Sequence, residues 1–466
     1  MNKKLSSSEI WPEIFTQLQK YIVQIVAQIA SFNWLIPYQK QETGESSGSG
    51  FFIDNQGHII TSAHVVDQAS TVWIHIPQFG KRIFFVDIVG FYPERDIALL
   101  KLKKNDLDQI KNEMSFPTIY EYDSPIQAGQ SIAILGYPFG DEKIKLSLGS
   151  VSGPTFVFGK SLIQLTIAVN VGDSGGPVIN EQGEIVGMVI AVAPESPNIA
   201  YAISMNEIKL ALKEMKSSHL ARRMFLGMRF NETTDDHARY LGNPIPAGVY
   251  INTILEHSLL AKYGVQEGDM LYAINGITVD PFGQLVVDDE KIYITELIAR
   301  LVPEQKVILE LYRKGEKVII SFPFTKTEEF PIKRYYPPFE SIGFIIIAGM
   351  VIMPLTDNHL DLLTPYAPEL AHYLFPEHKI NPQLIVTHLV PGSLAYQNGA
   401  IRVGHLVAQI NGISVNTISS LEQALVQSQK TNYILVKMTD RVTTVWRYDK
   451  VVEDDKRLSL QLDIGK

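Results

Sequence analysis

The chain has 466 residues, 45% of them hydrophobic and 20% charged, a net charge of −9 and no cysteine. That length exceeds one ordinary core and implies about two to four domains. The acidic balance argues against nucleic acid or an anionic membrane surface as the main partner, and the missing cysteines exclude disulfides, thiol nucleophiles and cysteine-held zinc together. Met1-Asn2-Lys3-Lys4 has the basic start of a signal peptide. Glu9, Pro12, Glu13 and Lys20 then interrupt the apolar run that such a segment needs. A helix is predicted over residues 8–20. The following run, 21–37, carries Gln24, Gln28 and Asn33 and is short for a spanning helix. Its Ile22, Val23, Ile25 and Val26 suit a buried strand as well as a helix. No integral membrane segment is expected, and a cytoplasmic location is favoured over a periplasmic or exported one.

From Gly48 the pattern becomes all-β. Strands are predicted at 49–53, 58–61, 71–76, 84–89, 97–102, 131–135, 163–168, 185–191 and 199–203, with Pro93, Gly136, Pro138, Gly140, Gly149 and Gly153 at the turns between them. Many short strands at this spacing mean a sandwich or a barrel. A helix at 206–217 closes the region.

An internal repeat follows. Leu255-Glu256-His257-Ser258-Leu259-Leu260-Ala261 leads to Gly264, Gly268-Asp269 and Ile274-Asn275-Gly276-Ile277. Its second copy is Val390-Pro391-Gly392-Ser393-Leu394-Ala395, then Gly399, Gly404-His405 and Ile410-Asn411-Gly412-Ile413. Two copies imply two related modules rather than a solenoid. The charged, proline-rich stretch 325–338 reads as a linker, 342–355 as one or two core strands, and 358–379 as a helical insertion in the second module.

Three short motifs carry chemistry. Asn170-Val171-Gly172-Asp173-Ser174-Gly175-Gly176-Pro177 places a serine between glycines that tolerate φ > 0, so a sharp turn can aim backbone N–H groups beside the hydroxyl. Such donors stabilise the oxyanion of a tetrahedral acyl intermediate, each typically by roughly 3–4 kcal/mol. A serine hydroxyl also needs a base, and the base an orienting group. Ser62-Ala63-His64-Val65-Val66 offers the imidazole, and Glu94-Arg95-Asp96-Ile97-Ala98-Leu99 a carboxylate at the head of an apolar strand. In the expected roles Ser174 is the nucleophile, His64 the base and Asp96 the group that fixes the tautomer. Gly172, Asp173 and Ser174 are the candidate oxyanion donors. No clustered His or carboxylate pattern predicts a metal, and neither a cofactor nor a phosphate loop is expected.

In this order the motifs resemble the HtrA/Deg serine proteases. Gly48-Ser49-Gly50-Phe51, Gly136-Tyr137-Pro138-Phe139-Gly140 and Gly183-Glu184-Ile185-Val186-Gly187 add to the likeness. It implies a mainly β chain, a trypsin-like double β-barrel protease domain followed by two PDZ-like α+β domains. The corresponding division is 1–45 as a leading helix and strand, 46–220 as protease, 221–326 as first PDZ domain and 336–466 as a divergent second one, similar to the plant-type Deg branch. Two departures stand out: Asp173 replaces a frequent Asn, and Thr166-Ile167-Ala168-Val169 replaces the usual Thr-Asp-Ala-Ala.

The resemblance also implies activity and partners: ATP-independent cleavage of unfolded or misfolded polypeptides, possible chaperone-like holding, and assembly into a homo-oligomer, a trimer or a multiple of it, for which Trp11, Phe15 and Trp34 are the candidate aromatics. The expected pocket wall is Ala168, Ala191, Val192 and Tyr201. It has no acid for a cationic side chain, so cleavage after small or medium apolar residues is expected. Phe225, Leu226, Gly227 and Met228 form the candidate loop for a peptide's terminal carboxylate in the first module. No comparable loop is expected in the second. The competing reading is a peptide-binding scaffold or chaperone whose protease domain is latent or inactive.

Overall fold

The computed structural model describes residues 7–116, 126–157, 160–192, 198–223, 225–287, 290–325 and 329–462. They form two compact units. One comprises the residues up to Ala30, Thr43–Phe225 and Gln284–Val302; the other comprises Ser31–Glu42, Leu226–Gly283 and Pro303–Lys466.

The first unit holds two closed six-stranded barrels. The first barrel is built from β1 (Ile22–Ser31), β2 (Glu42–Phe52), β3 (His58–Thr61), β4 (Ala69–His75), β5 (Ile83–Tyr92) and β6 (Ile97–Leu102), in the order β1-β2-β3-β6-β5-β4. The second contains β7 (Ser131–Gly136), β8 (Lys145–Val157), β9 (Lys160–Thr166), β10 (Pro177–Asn180), β11 (Ile185–Val192) and β12 (Ile199–Ser204), in the order β10-β11-β12-β9-β8-β7. Closure leaves no unpaired strand edge, which is how short β-branched runs avoid templating aggregation. The sequence pattern misses β8, rich in Ser, Gly and Pro, and β10, only four residues long.

One apolar cluster joins Trp11 and Ile14 of the helix Ser7–Leu18 to Phe51, Tyr92, Leu135, Ile179 and Met188 of the barrels. The helix Met205–Met215 adds Ile208, Ala211, Leu212 and Met215 to it. That helix starts where it does because Ser204 accepts a hydrogen bond from the Glu207 N–H, capping the first turn.

The second unit contains two modules. In the first, Met228–Asn231, Val249–Ile254, Met270–Ile274, Lys306–Arg313 and Glu316–Pro323 are neighbours in that order. In the second the order is Ile345–Ile347, Met350–Pro354, Leu384–Leu389, Leu406–Ile410, Tyr433–Met438 and Thr443–Arg447. Both Asn-Gly pairs adopt φ > 0 at both residues, 52° and 81° at Asn275 and Gly276, 49° and 82° at Asn411 and Gly412. These are the hairpin turns that match strand twist.

The insertion is a helix, Asp357–Leu363, followed by tighter turns at Pro368–Leu374 and Pro376–His378. The expected linker is not loose where it is described. Ile332 is fully buried, and Lys333 O accepts from the Asp357 N–H at 3.0 Å. Its residues 326–328 lie outside the described set. Trp34 is also placed differently from expectation. It sits in the second unit's core with Leu360 and Leu363, its carbonyl 3.1 Å from His359 Nε2, so it is no oligomer contact.

Candidate active site

Thr61 ends β3, and the short helical turn Ala63–Val66 follows with Ala63, Val65 and Val66 buried. Burying those three leaves His64 facing outward, its side chain half exposed. Asp96 sits at the head of β6 in the left-handed region, φ 57° and ψ 44°. Its carboxylate takes two hydrogen bonds from one residue: the His64 backbone N–H at 2.9 Å and the His64 Nδ1–H at 2.8 Å. With Nδ1 donating, Nε2 is left as the basic nitrogen.

Ser174 lies on the expected turn. Gly172 has φ 100°, and a Cβ there would come within 2.3 Å of Tyr137 O. Gly175 has φ 85°, and a Cβ there would meet Ser49 O at 2.1 Å. Both glycines are thus required by backbone sign and by space. Ser174 Oγ donates to Ile190 O at 3.5 Å. No hydrogen bond joins it to His64 among those of the described residues, so the His64–Asp96 half of the constellation is assembled and the Ser174–His64 contact is not.

The oxyanion donors need one revision. The Asp173 N–H is donated to Asn170 O at 3.1 Å, so it is not free for an oxyanion. Gly172 and Ser174 N–H have no backbone acceptor among the described residues. Asp173 itself is buried, its carboxylate accepting from the Asn170 N–H at 2.9 Å. Burial pushes its pKa up, and that hydrogen bond works against the shift.

The sequence passed over Ser49 as a chemical group. Its hydroxyl donates to Gly172 O at 2.7 Å and accepts from the Tyr137 N–H at 2.9 Å, pinning the serine turn to the loop after β7. The signal in the sequence is the serine between two glycines at 48–50, a buried hydroxyl that needs partners.

Of the candidate pocket wall, Ala168 is exposed and Tyr201 half-buried. The backbones of Ala191 and Val192 pair with Tyr201 and Ala200, and their side chains lie outside the described set. In the candidate peptide loop, Leu226 and Met228 are buried and Gly227 has φ 90°. Phe225 is 36% exposed.

A charged network borders the Asp96 turn. Arg95 is almost buried, bonded to Glu207 and to the carbonyl of Ala299 in the helix Ile294–Arg300. Arg300 Nε lies 3.3 Å from Glu207, and Arg223 donates to Thr295 O at 2.9 Å. Burial pulls the Lys160 pKa down, while the Asp96 and Glu94 carboxylates oppose that shift. No group of acids and histidines able to hold a metal occurs among the described residues.

Comparison with known proteins is consistent with this geometry. The profile of the trypsin-like peptidase domain matches residues 48–188, and that of the PDZ domain residues 372–439. A probable periplasmic serine endoprotease, DegP-like, of Marinomonas sp. (strain MWYL1) is 28% identical over 291 residues, covering 61% of this chain and 58% of the relative. The protein of the same name from Pseudomonas fulva (strain 12-X) is 29% identical over 284 residues, covering 60% and 55%. The chain is similar to serine endoproteases of the HtrA/Deg type.

Two solved structures share its fold. The HtrA-type protease AlgW with decapeptide aligns at TM-score 0.51 and 20% identity, covering 66% of this chain and 96% of that one. A serine endoprotease from Yersinia pestis aligns at TM-score 0.50 and 17% identity, covering 70% and 100%. The chain spans a little over half the length of the curated relatives it matches. Their names overturn the cytoplasmic location favoured from sequence, because they are periplasmic endoproteases. No helix among the described residues is long and apolar enough to cross a membrane.

Proposed function

We propose that this chain is an ATP-independent serine endopeptidase of HtrA/Deg type acting on unfolded or misfolded polypeptides. The observation that carries the reading is the His64 imidazole, held by Asp96 at 2.8 Å with its other nitrogen left basic. In the reaction Ser174 Oγ bonds to the scissile carbonyl carbon and its proton passes to His64 Nε2. The N–H groups of Gly172 and Ser174 hold the oxyanion. Collapse of the intermediate expels the amine, which takes the proton from Nε2. Water, deprotonated by the same nitrogen, then hydrolyses the acyl ester and restores the hydroxyl.

Ala168 stands six residues before Ser174, where a trypsin-like enzyme for Lys or Arg carries an acid. A cationic side chain there would be desolvated without a partner. The preferred residue before the cut is therefore small or medium and apolar, and the pocket is formed by Ala168, Ala191, Val192 and Tyr201. C-terminal peptides bind the first module at Phe225-Leu226-Gly227-Met228. In domain terms 46–220 cleaves, with the stretch 284–302 packed against it, while the rest of 221–326 and 336–466 bind and regulate. Association as a trimer or a multiple of it uses the apolar trough of about 560 Å³ lined by Trp11, Pro12, Phe15, Ile144, Leu146 and Leu148, in which Leu148 is 54% exposed.

A fluorophosphonate probe tests the nucleophile directly. Ser174 becomes labelled, and casein is degraded by the intact chain but not by Ser174→Ala. Faster hydrolysis of Lys or Arg peptides than of Val or Ala peptides would exclude the proposed pocket. The second reading, a peptide-binding scaffold with a latent protease, is favoured by one observation, the Ser174 hydroxyl bonded to Ile190 O. Absence of labelling both with and without an apolar C-terminal peptide would select it.

A further inference from the structure

The second module contains a loop built like the candidate peptide loop of the first. Gly227 has φ 90° and Gly349 φ 82°. A Cβ on either would come within 2.0 Å of a serine Cβ, Ser258 in one module and Ser393 in the other. Gly227 O accepts from Leu255 N at 2.9 Å, and Gly349 O accepts from Val390 N at 2.9 Å. The two serines make the same cap, Ser258 Oγ accepting from Ala261 N at 3.1 Å and Ser393 Oγ from Tyr396 N at 3.3 Å. The expectation that the second module lacks such a loop is therefore corrected. The insertion at 357–378 and the departure of Ile347-Ala348-Gly349-Met350 from the first loop's residues hid it.

This second loop faces the helix Tyr448–Gln461. Leu458 of that helix is 1% exposed and packs on Val351 and Val390, its methyl 3.4 Å from where a Gly349 Cβ would be. One turn earlier lies the Asp455 carboxyl; burial disfavours its charged form, and the Ala348 and Gly349 N–H groups that face it oppose that shift without reversing it. Its Oδ1 is buried without a hydrogen-bond partner. The neighbouring Asp454 accepts from the Leu394 N–H at 3.0 Å, and Arg457 donates to Gly392 O at 3.2 Å. Asp455 and Leu458 together present a carboxyl and an isobutyl group one helical turn apart. Those are the two features of a polypeptide ending in an aliphatic residue, and a loop of successive backbone N–H groups is the device that captures them.

We propose that Ile347-Ala348-Gly349-Met350 is a second carboxylate-binding loop whose resting occupant is Asp455 of the chain's own helix Tyr448–Gln461. A free polypeptide C-terminus with an aliphatic last side chain competes with that helix for the loop. The inference goes beyond the peptidase reading and does not require Ser174 to be a nucleophile. Because the loop is competent only in the helix-released fraction, the apparent dissociation constant exceeds the intrinsic one by the inverse of that fraction.

The test is hydrogen–deuterium exchange on the full chain with the peptide Ser-Ala-Ser-Val-Ala-Leu and its C-terminal amide. On the unaltered chain, the free acid slows exchange at 345–351 and in the same titration speeds it at 448–461, while the amide does neither. In Leu458→Asp and in Asp455→Arg, exchange at 448–461 rises at least tenfold and the free acid binds 345–351 at least tenfold more tightly. Unchanged exchange at 97–102 shows that these variants keep their barrels, and the unaltered chain gives the answer if they do not. Slowing at 345–351 without release of 448–461 overturns the proposal. So does a released helix with no free-acid effect at 345–351. Peptide capture by the first module reads out separately at 226–231.

Discussion

Asp96 grips His64 at two points, through the backbone N–H at 2.9 Å and through Nδ1 at 2.8 Å. The first bond sets where the residue sits and the second sets which nitrogen carries the proton. Asp96→Asn keeps the size of the side chain and removes the acceptor that selects the Nδ1–H tautomer. Its kcat on a chromogenic Val or Ala peptide is expected to fall by roughly 10⁴-fold with little change in thermal midpoint. Ser174→Ala and His64→Ala fall by a similar factor or more, and combining them adds little, because the group acts as one unit.

Arg95 anchors the same turn from its other side. Arg95→Ala removes the link from the Asp96 turn to Glu207 and to the Ala299 carbonyl. Glu207 then keeps Arg300, at 3.3 Å, and the charge of Arg223. The expected result is a kcat lower by the order of 10- to 100-fold, the usual sensitivity to a small misplacement of a reacting group. KM changes little, which steady-state kinetics resolves. Arg95→Lys does not restore the rate, since an ammonium lacks the fork that reaches both acceptors.

His359 makes the second unit acid-sensitive. Burial lowers its pKa from 6.5 to about 4, while its contact with Trp34 O pulls the other way. The unfolded chain takes up the proton first as pH falls, so stability is full above pH 6.5 and is lost between there and about pH 4. Its share of that loss is of the order of 3 kcal/mol. Denaturant midpoints of the intact chain fall over this window, and His359→Gln flattens the fall at the cost of a lower plateau above pH 7.

Asp455 has the opposite sign. Burial, assisted by the Asp454 charge, raises its pKa from 3.8 to about 7, against the pull of the Ala348 and Gly349 N–H groups. The docked helix therefore binds the proton more tightly than the released one. Docking is firmest below about pH 4 and weakens as pH rises to about 7. Asp455→Asn removes that loss and is expected to stabilise the second module at pH 8 by roughly 2–4 kcal/mol, with no gain at pH 4. His388, paired with Val351, is held below its usual pKa by burial, and burial holds the partly buried Tyr38 beside it above its own. Comparing the two proteins with His388 and Tyr38 intact isolates the carboxyl, read as exchange at 448–461 against pH.

The parts legible in the sequence were those with local causes. Strand β3 and strand β6 fell where alternation and turn residues placed them, and both Asn-Gly turns followed from the φ > 0 that a two-residue hairpin demands. The order of the His64, Asp96 and Ser174 motifs suggests one cleft, and of these three the structure pairs His64 with Asp96. What escaped were contacts between distant segments. Nothing in the run around Trp34 announces His359, and nothing at Gly349 announces Leu458. The Asp173 N–H was assigned to the oxyanion from its position alone, and only the turn back to Asn170 O withdraws it. Strand β8 hides because pairing to two neighbours, not apolar alternation, makes it a strand.

The stretch Gln284–Val302 clusters with the barrels although it lies far along the chain from them. Excising the catalytic body at the end of the helix Met205–Met215 would strip it of that stretch. Arg95 would lose the Ala299 carbonyl, and the Phe156 ring would lose Tyr293, whose centroid lies 5.1 Å away. A recombinant fragment cut by domain convention would thus lack contacts that its barrels make in the intact chain. Dissection of this protein has to respect spatial neighbours over sequence order.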